Sequence, residues 1–187
     1  MLPIIAPKKA PIPVVIPDSI TEIGEYAFFY CTGLTQVTIP NNVTNIGAGA
    51  FNFCTNIAQI NWNAKSVTDF RSNGTIFNNA GKSCAGITVI FGENVEDIPD
   101  YALTGNFTST VPKIVNIVIG DNVKTIGRSA FLDCGQLTDV TMGKNVQSID
   151  RFAFSNCTAL KSIIIPEKVT YIDDVVFSGC TSLSNVT

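Results

Sequence analysis

Residues 43–54 read "VTNIGAGAFNFC" and residues 123–134 read "VKTIGRSAFLDC". Val, Ile, Gly, Ala, Phe and Cys stand at the same offsets in both, and most residues between them differ. Such a pattern fits either a duplicated active site or an architectural frame whose variable positions carry the function. The flanking sequence decides. The register begins at Ile16 and returns at Ile39, a step of 23 residues, and the same step runs from Ile119 to Met142 to Ile165. The complete units are IPDSITEIGEYAFFYCTGLTQVT, IPNNVTNIGAGAFNFCTNIAQIN, IGDNVKTIGRSAFLDCGQLTDVT, MGKNVQSIDRFAFSNCTALKSII and IPEKVTYIDDVVFSGCTSLSNVT. Two longer units, 62–90 and 91–118, lie between the second and third of these, with insertions near 71–86 and 104–112. Seven units then cover residues 16–187, behind a proline-rich segment, 1–15. A fixed period of this size marks a stacked-repeat architecture.

Side-chain periodicity predicts the shape of one unit. "LTQVTI" (34–39) is rich in β-branched residues and alternates, which predicts a short strand with Val37 and Ile39 pointing inward. Pro40, Gly120 and Gly143 follow such strands and end them. "VTNI" gives a second extended piece with Val43 and Ile46 inward, and Gly47 and Gly127 supply a tight turn. Ala, Phe and Cys of AFxxC fall near one face of a single helical turn. None of these pieces buries its apolar side alone. Stacked coils do, and stacking also pairs the strands into a parallel sheet. The fold class read here is α/β: a right-handed solenoid with parallel strands on one face. Short helical turns and extended arms make up the rest, with more strand than helix.

The pattern LxxVxIPxxVTxIGxxAFxxCxxL resembles the BspA-like leucine-rich repeats of bacterial and protozoan proteins, over residues 16–187. The middle units depart from it. Arg71 and Pro99 replace the turn glycine, Leu103 replaces the Phe, and the Cys is displaced to Cys84 or lost. The resemblance implies a secreted or surface-attached, non-enzymatic module for protein–protein interaction or adhesion. An intracellular scaffold or effector and a glycan-binding surface module are the alternatives.

Composition narrows the function classes. Charged residues are 14% of the chain and the net charge is −3, with no run of Lys or Arg, so the footprint of a nucleic-acid binder is missing. No apolar stretch approaches a membrane span, so no membrane insertion is expected. The apolar start with trailing lysines is not a signal-peptide layout. Histidine is absent, which removes the commonest general base. No phosphate loop, nucleophile elbow or dinucleotide fingerprint is present, and no cofactor is expected.

Cys31, Cys54, Cys134, Cys157 and Cys180 share one repeat position. Without CxxC or His they do not form a zinc signature. Parallel side chains on coils about 4.8 Å apart are misdirected for disulfides, so a column of small buried thiols is expected. Phe28, Phe51, Phe77, Phe131, Phe154 and Phe177 form a second file, read as a core spine rather than a ligand box. Asn42, Asn94, Asn122 and Asn145 are read as a turn ladder bonding nearby backbone. Their neighbours Asp18, Glu93, Asp121 and Glu167 are read as solvated turn residues, with calcium as the weaker reading. Five N-x-S/T triplets begin at Asn42, Asn73, Asn106, Asn156 and Asn185.

If the strands line one face, their outward residues form two stripes. One is Gln36, Gln59, Thr88, Asn116, Asp139 and Ser162, continuing to Asn185. The other is Thr38, Asn61, Ile90, Val118, Thr141 and Ile164, continuing to Thr187. A long shallow surface of this kind suits a host surface or matrix protein, or a glycan, better than a small molecule. Arg71, Asn73 and Phe107 in the insertions are the other candidate contacts. Ile4, Ile5, Ile12, Val14 and Val15 are expected to pack over the first coil. The last unit ends at Thr187 without a polar cap, which suggests end-to-end self-association or a longer array.

Overall fold

The β-branched runs of successive units lie side by side. The computed structural model describes residues 14–65, 67, 76–104 and 111–187. Its strands are β1 (Glu22–Ile23), β2 (Gln36–Ile39), β3 (Asn45–Ile46), β4 (Gln59–Trp62), β5 (Ile87–Phe91), β6 (Asp97–Ile98), β7 (Ile114–Ile119), β8 (Thr125–Ile126), β9 (Asp139–Thr141), β10 (Ser148–Ile149), β11 (Ser162–Ile163), β12 (Tyr171–Ile172) and β13 (Asn185–Val186). A five-stranded parallel sheet runs β2-β4-β5-β7-β9, and β11 pairs with β13 in the same sense. The second arms form shorter parallel sheets, β1-β3 and β6-β8-β10-β12. The chain is a strand-dominated leucine-rich-repeat solenoid.

Register follows the sequence period. Gln36, Gln59, Thr88, Asn116 and Asp139 are partners across five strands, as are Thr38, Asn61, Ile90, Val118 and Thr141. One shift occurs between β5 and β7. Ile87 pairs with Ile114 but Thr88 pairs with Asn116, leaving Val115 as a bulge. The inward residues Leu34, Val37, Ile39, Val43, Ile46, Ala50, Phe51 and Cys54 of one coil are all buried, and so are most of their counterparts in the middle coils, with Val140 and Met142 partly buried. Phe28 stacks on Phe51 at 5.0 Å between centroids, and Phe51 on Phe77 at 5.1 Å. Leu103 interrupts this spine, and Phe91 fills the gap from the strand side, 5.9 Å from Phe131. Phe131, Phe154 and Phe177 then continue the file.

The AFxxC stretch differs from the sequence reading, because no helix occurs among the described residues. Alternate residues of this arm donate their N–H to the next coil instead: Tyr26 to Ala48, Phe28 to Ala50, and Tyr30 to Asn52. The residues between them close three-residue turns, as Phe29 does to Tyr26 and Cys31 to Phe28. A helix would need those N–H groups for its own carbonyls. Coil-to-coil pairing wins, and it sets two residues per arm at positive φ, such as Tyr26 and Tyr30, Ser129 and Asp133, or Phe152 and Asn156.

The turn glycine also acts differently from expectation. Gly47 and Gly127 do not have positive φ. A Cβ on Gly47 would collide with the Glu25 backbone, and one on Gly127 would lie 2.6 Å from the Ile98 carbonyl oxygen. The residue is small here because adjacent backbones approach closely. The asparagines likewise bond across coils rather than locally. Asn42, Asn122 and Asn145 donate through Nδ2 to the Asp18, Glu93 and Asp121 carbonyls at 2.7, 2.7 and 2.8 Å.

Ile4, Ile5 and Ile12 lie outside the described residues. Val14 packs against the core, whereas Val15 points to solvent, as alternation along an extended chain requires.

Candidate functional site

The outward strand stripes are real files, but much of their polarity is used internally. Gln59 Nε2 donates to Asn61 Oδ1 at 2.7 Å, and Asn61 Nδ2 donates to Thr38 Oγ1 at 3.1 Å. Thr38, Gln59, Asn61, Thr88, Ile90, Asn116 and Val118 are half-buried. Gln36, Asp139, Thr141, Ser162 and Ile164 are exposed, Ile164 at 69%. The structure therefore brings the described ones among these residues into one surface that is open at Gln36 and along the C-terminal coils. Arg71, Asn73 and Phe107 lie outside the described residues.

A different surface emerges on the turn arms of the first two coils. Tyr26, Phe29, Tyr30 and Phe53 are 55%, 45%, 65% and 37% exposed. Phe29 lies 5.6 Å from Tyr26 and 5.5 Å from Phe53, and Tyr30 lies 6.0 Å from Phe53. Tyr26, Tyr30 and Phe53 have positive φ, a region that disfavours bulky residues by about 1–2 kcal/mol. The equivalent positions of other coils hold Gly49, Asn79, Ser129, Asp133, Asn156 and Gly179, of which Gly, Asp and Asn tolerate this backbone well, but also Tyr101, Phe152 and Val175. The fold thus does not require aromatics there, and their rings add little to the core. Tyr26 sits over the bare Gly49, where a Cβ would run into its ring. Sequence reading passed over this cluster because the Phe file drew attention to Phe28 and Phe51. The available signal was the run YAFFY, with three aromatics at variable positions of a single unit.

The charged groups form ladders along the coils. Glu96 pairs with Lys65 and Lys124 at 3.3 and 2.8 Å, beside a depression of about 350 Å³ also lined by Glu93, Asn94 and Asn122. Hydrogen bonds from Lys124 and then Lys65 hold the Glu96 carboxyl below its usual range. Asp121 pairs with Lys144 and is lowered likewise. Asp121 is thus ion-paired rather than simply solvated. A second depression, of about 530 Å³, is lined by Asp100, Arg128, Asp150, Arg151, Tyr171 and Asp173. Desolvation, then Asp100 and Asp173, push the Asp150 carboxyl upward. Among the described residues no group of three or more His, Cys, Asp or Glu converges on a point that could hold a metal ion.

The six cysteines are free thiols. Three of the column donate to the carbonyl of the Phe one coil earlier: Cys54 to Phe28 at 3.0 Å, Cys157 to Phe131 at 3.4 Å, and Cys180 to Phe154 at 3.1 Å. The position therefore selects a small apolar group that is also a weak donor. Burial pushes the Cys54 and Cys134 thiols up to about 12. Displaced Cys84 instead donates to the Ile57 and Gly81 carbonyls, both at 3.1 Å.

A family model described as BspA type leucine rich repeat region matches residues 12–112 and 106–187, in six copies. The chain belongs to the BspA-type leucine-rich repeat family. Among solved structures this BspA-type chain is similar to a leucine-rich repeat protein from Eubacterium ventriosum ATCC 27560, at 27% identity and a TM-score of 0.66, over 89% of this chain and 42% of that one. It is similar to the T. pallidum leucine-rich repeat protein at 28% identity and a TM-score of 0.62, over 88% and 72%. A leucine rich cell surface protein from Faecalibacterium prausnitzii A2-165 gives 26% identity and a TM-score of 0.48, over 91% and 52%. The chain spans about half the length of the Faecalibacterium prausnitzii protein and less of the Eubacterium ventriosum one, at 52% and 42%. No curated protein matches it. Membership in this repeat family points generally to an interaction or surface module. No helix among the described residues is long and apolar enough to cross a membrane.

Proposed function

We propose that this BspA-type chain is a non-enzymatic binding module, displayed at a cell surface or secreted, that holds a macromolecular partner against its rigid coils. The observation that carries the reading is the exposed cluster of Tyr26, Phe29, Tyr30 and Phe53, three of which, Tyr26, Tyr30 and Phe53, have positive φ. Four rings, each partly exposed, present an apolar area of about a few hundred Å², the size at which surface patches mark contact sites. Aromatics anchor interfaces because they offer large area with few rotors to freeze. The open part of the strand face, around Asp139, Thr141, Ser162 and Ile164, supplies a second contact region, as do Arg71, Asn73 and Phe107 of the insertions. The surface setting rests on the family resemblance.

The test is solid-phase binding of the purified chain to a panel of matrix proteins and mucin-type glycoproteins. Tyr30→Ser with Phe53→Ser is expected to abolish capture that the wild-type chain shows, with the circular dichroism spectrum unchanged. Full capture by that variant would refute the assignment to this cluster.

A further inference from the structure

The aromatic cluster admits a more specific reading, which rests on its being a binding surface at all. We infer that its ligand is an uncharged glycan whose sugar rings lie on Tyr26, Phe29, Tyr30 and Phe53. Charge comes first. Across residues 24–34 and 47–57, which carry and flank the cluster, the only ionisable acid or base besides the tyrosines and cysteines is Glu25. Neither arm carries Lys or Arg, so a phosphate, sulfate or sialylated group meets no counter-charge on them and is repelled by Glu25; Lys82 lies on the following coil, beside Cys54 and Thr55 rather than among the rings. An anionic membrane surface is disfavoured for the same reason, since interfacial binding draws on basic residues beside the aromatics.

Shape comes second. The rings step along the two coils at centroid separations of 5.5 to 6.2 Å, on the outside of the turn arms. Side-chain anchors of a peptide bind best in desolvated pockets, whereas this is a ridge of rings set edge-on or tilted to one another. Aromatic faces on such a ridge suit the C–H faces of successive sugar rings, because a ring's negative face attracts the weakly positive C–H edge of its partner.

The polar rim comes third. The Tyr26 and Tyr30 hydroxyls have no partner among the described residues. The Asn52 side-chain Oδ1 accepts from the Asn78 N–H at 2.7 Å, which leaves its Nδ2 amide group to donate. Thr32 and Thr55 hydroxyls lie on the same arms. A sugar presents apolar faces edged by hydroxyls that both donate and accept, and this rim matches it.

The experiment is retention on an array of uncharged oligosaccharides, paired with binding to a mucin-type glycoprotein before and after enzymatic removal of its glycans. The expected result is binding to at least one uncharged oligosaccharide, insensitive to salt and lost at least tenfold in Tyr30→Ala and in Phe53→Ala. Tyr30→Phe should retain stacking and lose part of the affinity. The distant variant Ser182→Ala, at an exposed position of the last coil, should bind as wild type. Silence of the buried thiols under native conditions checks that each variant is folded. Binding to the deglycosylated protein that is lost in the same variants would overturn the glycan inference and leave the proposed function standing. Absence of any binding to the array would overturn the inference as well. Binding to sialylated or sulfated arms alone, or to anionic vesicles alone, would also overturn it.

Discussion

Removing the ring of Phe51 should destabilise the protein by about 4 kcal/mol, within the 3–5 kcal/mol observed for Phe→Ala in cores. The site explains a value inside that range. The Phe51 side chain is wholly buried. Phe28 stacks on one face, 3° from parallel, and Phe77 on the other, 11° from parallel. Alanine would leave a void walled by two rings that inter-coil backbone bonds hold apart, such as Phe28 N–H to the Ala50 carbonyl and Phe51 N–H to the Ile76 carbonyl. The walls cannot close without breaking that ladder. Phe51→Leu should cost only about 1–1.5 kcal/mol, since the same spine accepts Leu103 in a later coil. Phe177→Ala should fall between the two, because the last ring is only partly buried and has a spine neighbour on one face. The assay is equilibrium urea unfolding, followed by far-ultraviolet circular dichroism and by the fluorescence of the single, buried Trp62. Repeat arrays lose stability through nearest-neighbour interfaces, so a gap between the two signals would show the N-terminal coils opening first. A loss below about 1 kcal/mol for Phe51→Ala, or equal losses for Ala and Leu, would refute the stacked-spine argument.

Native thiol titration should spare Cys54, Cys134 and Cys157, which are buried, and reach only Cys31, Cys84 and Cys180; unfolding should release six groups, and a count of four or fewer would indicate disulfides. Asp150→Asn should raise stability at neutral pH. Its folded-state carboxyl is shifted up, so the native protein favours the protonated form and is destabilised as pH rises through that range; the gain should vanish below the ordinary carboxylate range, and pH-independent melting differences would contradict it. Asn145→Ala should cost about 1 kcal/mol, because it removes the donor to the Asp121 carbonyl on the previous coil; an unchanged urea midpoint would show that water replaces the bond. Gly47→Ala should cost more than Gly24→Ala, since an added Cβ meets the Glu25 backbone at the first site and open space at the second; equal melting temperatures would dispose of the close-approach explanation.

The 23-residue period determined a great deal by itself. Identical apolar offsets must form files when coils stack, so the burial of Val37, Ile39, Val43, Ile46 and Phe51 was fixed by spacing alone, and so was the cross-strand file from Gln36 to Asp139. Contacts between coils were decided only by the tertiary structure. AFxxC has the spacing of a helical turn, yet its N–H groups pair with the next coil, and that choice depends on a neighbour 22 residues away. The same holds for Gly47, small because Glu25 lies against it, and for Asn145, whose partner is Asp121 rather than its own turn. The candidate site followed the same division. Outward positions were legible from the pattern. That Gln59, Asn61 and Thr38 satisfy one another, and that Tyr26, Phe29, Tyr30 and Phe53 gather into one exposed cluster across two coils, arises from side chains meeting in space. A period specifies which residues face out; only the packed coils specify which of them remain free to bind.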